Sequence, residues 1–226
     1  MRLRNQQKWK IWILVFFFLA GIGFILAQRP KQAALEYTGD AWEAMDGNKP
    51  SFTREEITDK AFESYSTLDG LGRAGEAFCC LGPELMPTEP RGSIAGIKPT
   101  GFQQAKYPGV IDEDPPYLYN RCHLVAYRLA GENANARNLI TGTRYLNVEG
   151  MQPWETQVAS YIERTGNHVL YRVRPDFHGR ELVARGVEME AWSVEDRGEG
   201  ISFHIYVFNV QPGILIDYRT GYSRKE

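Results

Sequence analysis

Between Ile11 and Ala27 the chain runs through apolar residues and glycine without a single charge, and Arg2, Arg4, Lys8 and Lys10 stand ahead of it. This run sets the N-terminus apart from any globular core that follows. As a helix it spans roughly 26 Å, close to the hydrocarbon thickness of a bilayer once Trp9 and Lys10 anchor one interface. A signal anchor is the favoured reading, because the run exceeds the usual signal-peptide core of about 7 to 15 residues and Ile25 occupies a position where cleavage after Ala27 wants a small residue. A cleaved secretory signal is the alternative. Either reading exports the remainder, since positive charge ahead of the segment keeps the N-terminus cytoplasmic. The expected organisation is an N-terminal segment over 1–30, a polar stalk over 31–62 and one globular domain over 63–226.

Export changes the charge arithmetic. The whole chain carries −2, but residues 31–226 hold 21 basic and 28 acidic side chains, a net of −7. That argues against a broad basic face of the kind that captures nucleic acid by counterion release. From Asn120 to Arg185, however, there are nine arginines, no lysine and six acids. Arginine forks suit phosphate, although charge alone supports an arginine-rich solvated surface equally well. Three cysteines cannot all pair internally. Reduced thiols are the favoured state, and Cys122 joined to Cys79 or Cys80 is the more plausible bridge if one forms, because a bond between adjacent cysteines is strained.

At 43% apolar content and without repeats, the exported part can bury one sizeable core. Residues 28 to about 60 are polar and broken by Pro30, Gly39 and Gly47-Asn-Lys-Pro50, with one short helix expected around Gly39 to Met45. Ser93 to Lys98 alternates as a strand does, and Tyr107 to Tyr119, with three prolines among acids, reads as a loop. From Pro153 to Arg164 the period turns helical: Trp154, Val158 and Ile162 recur at four-residue steps, Pro153 suits a first turn and Gly166 a C-cap. His168 to Val173, Glu181 to Trp192 and Ile201 to Val210 read as strands. The expected class is α+β, a mixed and mostly antiparallel sheet with one short functional helix.

The chemistry concentrates in Asn120-Arg-Cys-His123, in Asn138-Leu-Ile-Thr-Gly-Thr-Arg-Tyr-Leu-Asn147, and in Glu155 on the helix. A histidine able to take a proton from water, a neutral oxygen ligand and a carboxylate are the parts that phosphodiester hydrolysis assisted by one divalent cation requires. Taken singly, each has an ordinary role: His123 as a structural residue, Asn147 as an N-cap, Glu155 as a complement to the helix dipole. The catalytic reading rests on the resemblance that these segments carry together.

These segments, with Pro153-Trp-Glu155, His168 to Val173 and Asn209-Val-Gln-Pro-Gly213, resemble the DNA/RNA non-specific endonuclease family of the ββα-metal superfamily, in particular its streptococcal DNA-uptake and secreted DNase members, from about Leu68 to Ser223. The resemblance implies that His123 is the general base, Asn147 the direct metal ligand, and Glu155 an acceptor for metal-bound water, with Asn120 in a similar place. It implies that Arg121 or Arg144 pairs with phosphate, that Asn138 braces the loop, that the cofactor is Mg²⁺ with Mn²⁺ as a substitute, and that products carry 5′-phosphates. DNA, and RNA as a second polymer, are the implied partners, with the membrane engaged through the N-terminal segment. Two positions depart from the family pattern Asp-Arg-Gly-His. Asn120 replaces a negative charge near the metal, and Cys122 places a side chain where glycine is usual. A non-catalytic nucleic-acid-binding module of a surface uptake apparatus is the alternative function.

Overall fold

In Val169-Leu-Tyr-Arg-Val-Arg-Pro-Asp176 apolar and polar residues alternate, and in the computed structural model, which describes residues 35–226, this run lies inside a six-stranded sheet. In chain order the elements are β1 (Trp42–Ala44), β2 (Phe62–Tyr65), β3 (Ala77–Leu81), β4 (Tyr119–His123), α1 (Tyr127–Ala130), β5 (Leu139–Thr143), a π-helical turn (Leu146–Met151) and α2 (Gln152–Thr165). They continue with β6 (Val169–Asp176), β7 (Gly186–Ser193), β8 (Ser202–Phe208), β9 (Ile214–Ile216) and β10 (Ser223–Lys225). The large sheet has the order β1-β8-β7-β6-β3-β2 with every pair antiparallel; β4–β5 and β9–β10 are separate antiparallel ribbons. Residues 39–226 form one compact unit, an α+β arrangement with one main helix.

Side-chain alternation gives the sheet two unlike faces. One face presents Cys79, Tyr171, Val173, Met189, Ile205 and Val207 to a core completed by Val158, Ala159 and Ile162 of α2 and by Cys122 and Ile140 of the β4–β5 ribbon. The other carries Arg172, Arg174, Glu188, Glu190 and His204. Burying those charges is tolerable only because they pair: Arg172 with Glu190 at 2.9 Å and with Glu56, Arg174 with Glu76 at 2.6 Å and with Glu188 at 2.9 Å. Part of the segment expected as a polar stalk lies over this face. Ser51 donates to Glu190, and Phe52 and Phe78 flank the Arg172 guanidinium at 4.9 and 4.3 Å.

Three local expectations are corrected. The short helix expected around Gly39 to Met45 is instead β1, because Trp42 to Ala44 find unpaired backbone groups at the edge of β8 and the Trp42 ring meets Trp154 edge-on at 4.8 Å. Ser93 to Lys98 forms no strand, since the Ala95 and Ile97 carbonyls accept from the Arg121 guanidinium rather than from a neighbouring strand. Strand β7 starts at Gly186 rather than Glu181, the Leu182 and Val183 amides being committed to the Tyr218 carbonyl. The Ile11–Ala27 segment, expected as an anchor or signal, lies outside the described residues; among those described, no helix is long and apolar enough to cross a membrane. All three thiols are free, with Cys79 in the core and Cys80 directed at the Thr58 carbonyl, 3.2 Å away.

His204 illustrates how the polar face holds together. Its Nε2 faces Glu188 at 2.8 Å and its Nδ1 faces the Lys49 carbonyl at 3.2 Å, two acceptors that favour a doubly protonated ring. Burial pulls its pKa down, but the hydrogen bond and charge of Glu188, with Glu190 and Asp46, more than offset this and leave it raised. A raised folded-state pKa contributes stability that is complete below the unfolded value of about 6.5 and is lost as pH rises through the folded value. Urea unfolding should therefore give a smaller unfolding free energy at pH 9 than at pH 6, and His204→Asn should reduce that difference.

Candidate active site

Asn138 shapes the chain that leaves β4. Its side chain is fully buried and clasps Val125 at both ends, Oδ1 accepting from the Val125 amide at 2.9 Å and Nδ2 donating to the Val125 carbonyl at 3.0 Å. The long connection from β4 to β5 is thus pinned at its root. A second asparagine, Asn209, ties β5 to the far end of the large sheet: it accepts from Thr143 N at 2.8 Å and donates to the carbonyls of Thr141 and Ala184. Thr143 Oγ1 then accepts from Leu146 N at 2.9 Å, in the manner of an N-cap, and the chain enters the π-helical turn. Gly150 lets that turn lie on β8, for a Cβ there would stand 2.2 Å from Val207 Cγ1. In α2 Pro153 sits in the first turn and Gly166, with φ 71°, closes the helix.

These elements surround an open cleft of about 940 Å³. Asn120, Arg121, His123, Arg144, Asn147 and Glu155 all line it, so six of the seven residues singled out from the sequence share one cavity; Asn138 lies behind it. Arg91, Arg128, Glu113 and four aromatic side chains, Phe102, Tyr117, Tyr119 and Tyr127, complete much of the wall.

His123 is held at both ring nitrogens. Nε2 lies 2.8 Å from the Asn133 carbonyl, an acceptor only, so Nε2 carries the proton and Nδ1 keeps its lone pair. Nδ1 in turn accepts from Arg91 Nη2 at 3.2 Å. Burial pushes the His123 pKa below the ordinary imidazole value; the Asn133 hydrogen bond works against this and the Arg91 charge adds to it. The ring is therefore neutral at neutral pH and presents a basic nitrogen toward Arg91.

Glu155 occupies the first position of a stripe continued by Val158, Ala159 and Ile162, so the helix period turns a carboxylate toward the interior. It is 9% exposed and has neither a hydrogen-bond nor an ion-pair partner among the described residues. Burial raises its pKa to about 8 against the opposing pull of Arg128 and Arg91. Beside it, Asn147 Oδ1 accepts from the Cys122 thiol at 3.2 Å. The Cys122 side chain has room because Gly142, diagonal to it on β5, has none: a Cβ on Gly142 would lie 2.6 Å from Cys122 Cβ. The thiol is fully enclosed, and burial, with the nearby Glu155, pushes its pKa far up, which leaves it a poor nucleophile.

The arginines differ in their commitments. Arg121 spends its guanidinium on the carbonyls of Ile97 and Ala95, the latter at 2.9 Å, and stacks 4.6 Å over the Phe102 ring. Arg144 pairs with Glu113 at 2.7 Å. Arg91, on His123 itself, is a residue that sequence reading missed. It follows Pro90 in an irregular segment, where no periodicity or spacing singles it out.

The donor set bears on which ion would fit. Among the described residues no three His, Cys, Asp or Glu side chains converge as a metal cage. A single carboxamide oxygen and an unpaired buried carboxylate, open to a wet cleft, match a hard cation that keeps several of its waters.

A sequence profile of the DNA/RNA non-specific endonuclease family matches residues 53–195. A deoxyribonuclease of Streptococcus dysgalactiae subsp. equisimilis is 36% identical over 110 residues, which make up 46% of this chain and 32% of that protein, so the chain matches about a third of its relative's length. Among solved structures, magnesium-bound NucA from Streptococcus agalactiae superposes with a TM-score of 0.68 at 23% identity, covering 79% of this chain and 84% of NucA. Zinc-bound Sda1 nuclease superposes with a TM-score of 0.69 at 24% identity, covering 83% and 97%. At such identities the two superpositions establish a shared fold. With the profile match extending over more than half of its length, the chain belongs to the DNA/RNA non-specific endonuclease family.

Proposed function

We propose that the protein is a metal-dependent endonuclease of the ββα-metal type that hydrolyses DNA, and RNA as a second substrate, with little sequence preference. The observation that carries this reading is the pinned tautomer of His123, whose Nδ1 lone pair faces the same cleft as Asn147 and the unpaired Glu155. His123 Nδ1 takes the proton of the attacking water, and its depressed pKa keeps it ready at neutral pH. Arg91 leaves Nδ1 for a phosphate oxygen as substrate arrives, which frees the base and places a guanidinium on the developing charge. Arg144 holds a neighbouring phosphate, while Arg121, bound to two carbonyls, stiffens the wall beside Phe102.

A divalent cation, Mg²⁺ with Mn²⁺ as a substitute, supplies positive charge against the phosphate and the leaving oxygen when bound. Asn147 would hold it through Oδ1, the Cys122 thiol fixing the orientation of that amide, and Glu155 and Asn120 would accept hydrogen bonds from its waters. Backbone phosphates are the natural ligands of arginines in so open a cleft, which accounts for low sequence preference. The basic flank and apolar run before residue 30 support a location outside the cell, held at the membrane or released.

The full chain should cut plasmid DNA with Mg²⁺ and stop on addition of EDTA; cutting that ignores the chelator would overturn the metal assignment. His123→Ala should lower the rate roughly 10²-fold to 10⁴-fold without a matching fall in melting temperature. In calorimetric titration with Mn²⁺, Asn147→Ala should abolish measurable binding, and Glu155→Gln should weaken it about 10-fold to 100-fold. Unchanged affinity in both variants would place the metal elsewhere.

A further inference from the structure

Arg144 is the cleft arginine that is already occupied by an anion from the cleft itself. Glu113 Oε2 lies 2.7 Å from its Nη1, and both side chains are partly exposed, 39% and 33%. A carboxylate on a guanidinium stands where a phosphate would, since both anions offer oxygens to the same planar fork. The segment that carries Glu113 is not a free tether. Tyr107 and Ile111 on one side of it, and Leu118 and Tyr119 on the other, are buried in a second small core with Ile214. Tyr107 N donates to the Pro116 carbonyl at 3.0 Å, and Gln104 binds both backbone groups of Tyr119. Arg144 is equally fixed at its base, its amide donating to the Leu118 carbonyl at 2.9 Å. An anion held so close acts at high effective concentration against any incoming ligand.

We propose that Glu113 is a specificity-determining residue, an internal phosphate mimic that nucleic acid must displace from Arg144. The inference rests on the reading of the cleft as a nucleic-acid site. The competition weakens the grip on substrate and on product alike. A phosphate that stays on Arg144 from binding through reaction gains nothing at the transition state, so Glu113 sets KM and product release and leaves kcat alone. It also filters ligands: a weak or isolated anion does not open the pair, whereas a polymer held by its other phosphates does.

The test is fluorescence anisotropy of a labelled 12-nucleotide single strand in EDTA at low salt, using the full chain and the variants Glu113→Gln, Asp112→Asn, Arg144→Gln and the double variant Glu113→Gln/Arg144→Gln. Asp112 lies in the same segment and is exposed, so its neutralisation measures the general gain from removing one negative charge. Glu113→Gln should tighten binding about 2-fold to 5-fold, the range expected for freeing one partly exposed ion pair, and by more than Asp112→Asn does. In the Arg144→Gln background the same change should give only the Asp112→Asn effect. In plasmid cleavage, KM should fall by the same factor with kcat unchanged. Equal gains from Glu113→Gln and Asp112→Asn, a gain that persists without Arg144, or no binding by any variant would each overturn the proposal. The first comparison stands even if Arg144→Gln fails to fold. Coupled binding without cleavage would reject the hydrolytic reading and keep the role of Glu113; cleavage without coupling would do the reverse.

Discussion

The hydrogen bond between His123 Nε2 and the Asn133 carbonyl decides which nitrogen of the ring can accept a proton, and much of the surrounding architecture serves to keep that carbonyl in place. The connection that carries Asn133 leaves β4 immediately after His123 and returns at Asn138. There, a buried carboxamide saturates both backbone groups of Val125, and the Leu124 amide donates to the Asn138 carbonyl at 2.9 Å. Were the connection free to shift, the imidazole would lose its acceptor and its lone pair would turn toward whichever nitrogen the solvent chose. The bond to Asn133 and the rest of the cleft are therefore one construction. The ribbon that carries His123 hangs from the large sheet through Asn209 and Thr143, and the latter hydroxyl also starts the turn that carries Asn147.

Much of this was legible before any coordinates. Strands β6 and β8 follow from alternation, because a strand with one face in the core and one against polar partners writes a period of two into its residues. Helix α2 follows from Trp154, Val158 and Ile162 together with its proline and glycine ends. The clustering of His123, Asn147 and Glu155 is what the resemblance to the endonuclease family implies, and all three line the cleft. What escaped reading depends on contacts distant in the chain. Strand β1 exists because β8 has an edge to offer, and Arg91 and Glu113 act from irregular segments whose positions are set by packing. The carbonyls of Ala95 and Ile97 are taken by a side chain, Arg121, an outcome that local alternation has no means of announcing.

Cys122 shows how a side chain next to a crowded ring is accommodated. A side chain beside His123 needs volume, and the absence of one at Gly142 supplies it; the thiol then gains a partner in Asn147 and a neighbour in Met151 Sδ at 3.6 Å. Cys122 and Gly142, twenty positions apart in the sequence, are thus coupled sterically across the ribbon.

The π-helical turn at Leu146–Met151 carries an angular consequence. Asn147 and Glu155 are eight residues apart, and on an uninterrupted α-helix that separation leaves two side chains about 80° out of phase around the axis. A wider turn advances less per residue, so inserting one between them rotates the carboxamide back toward the azimuth of the carboxylate. The aim of the two oxygens is thus a matter of winding number. Lengthening or shortening this turn by one residue would swing them apart far more than replacing any side chain within it.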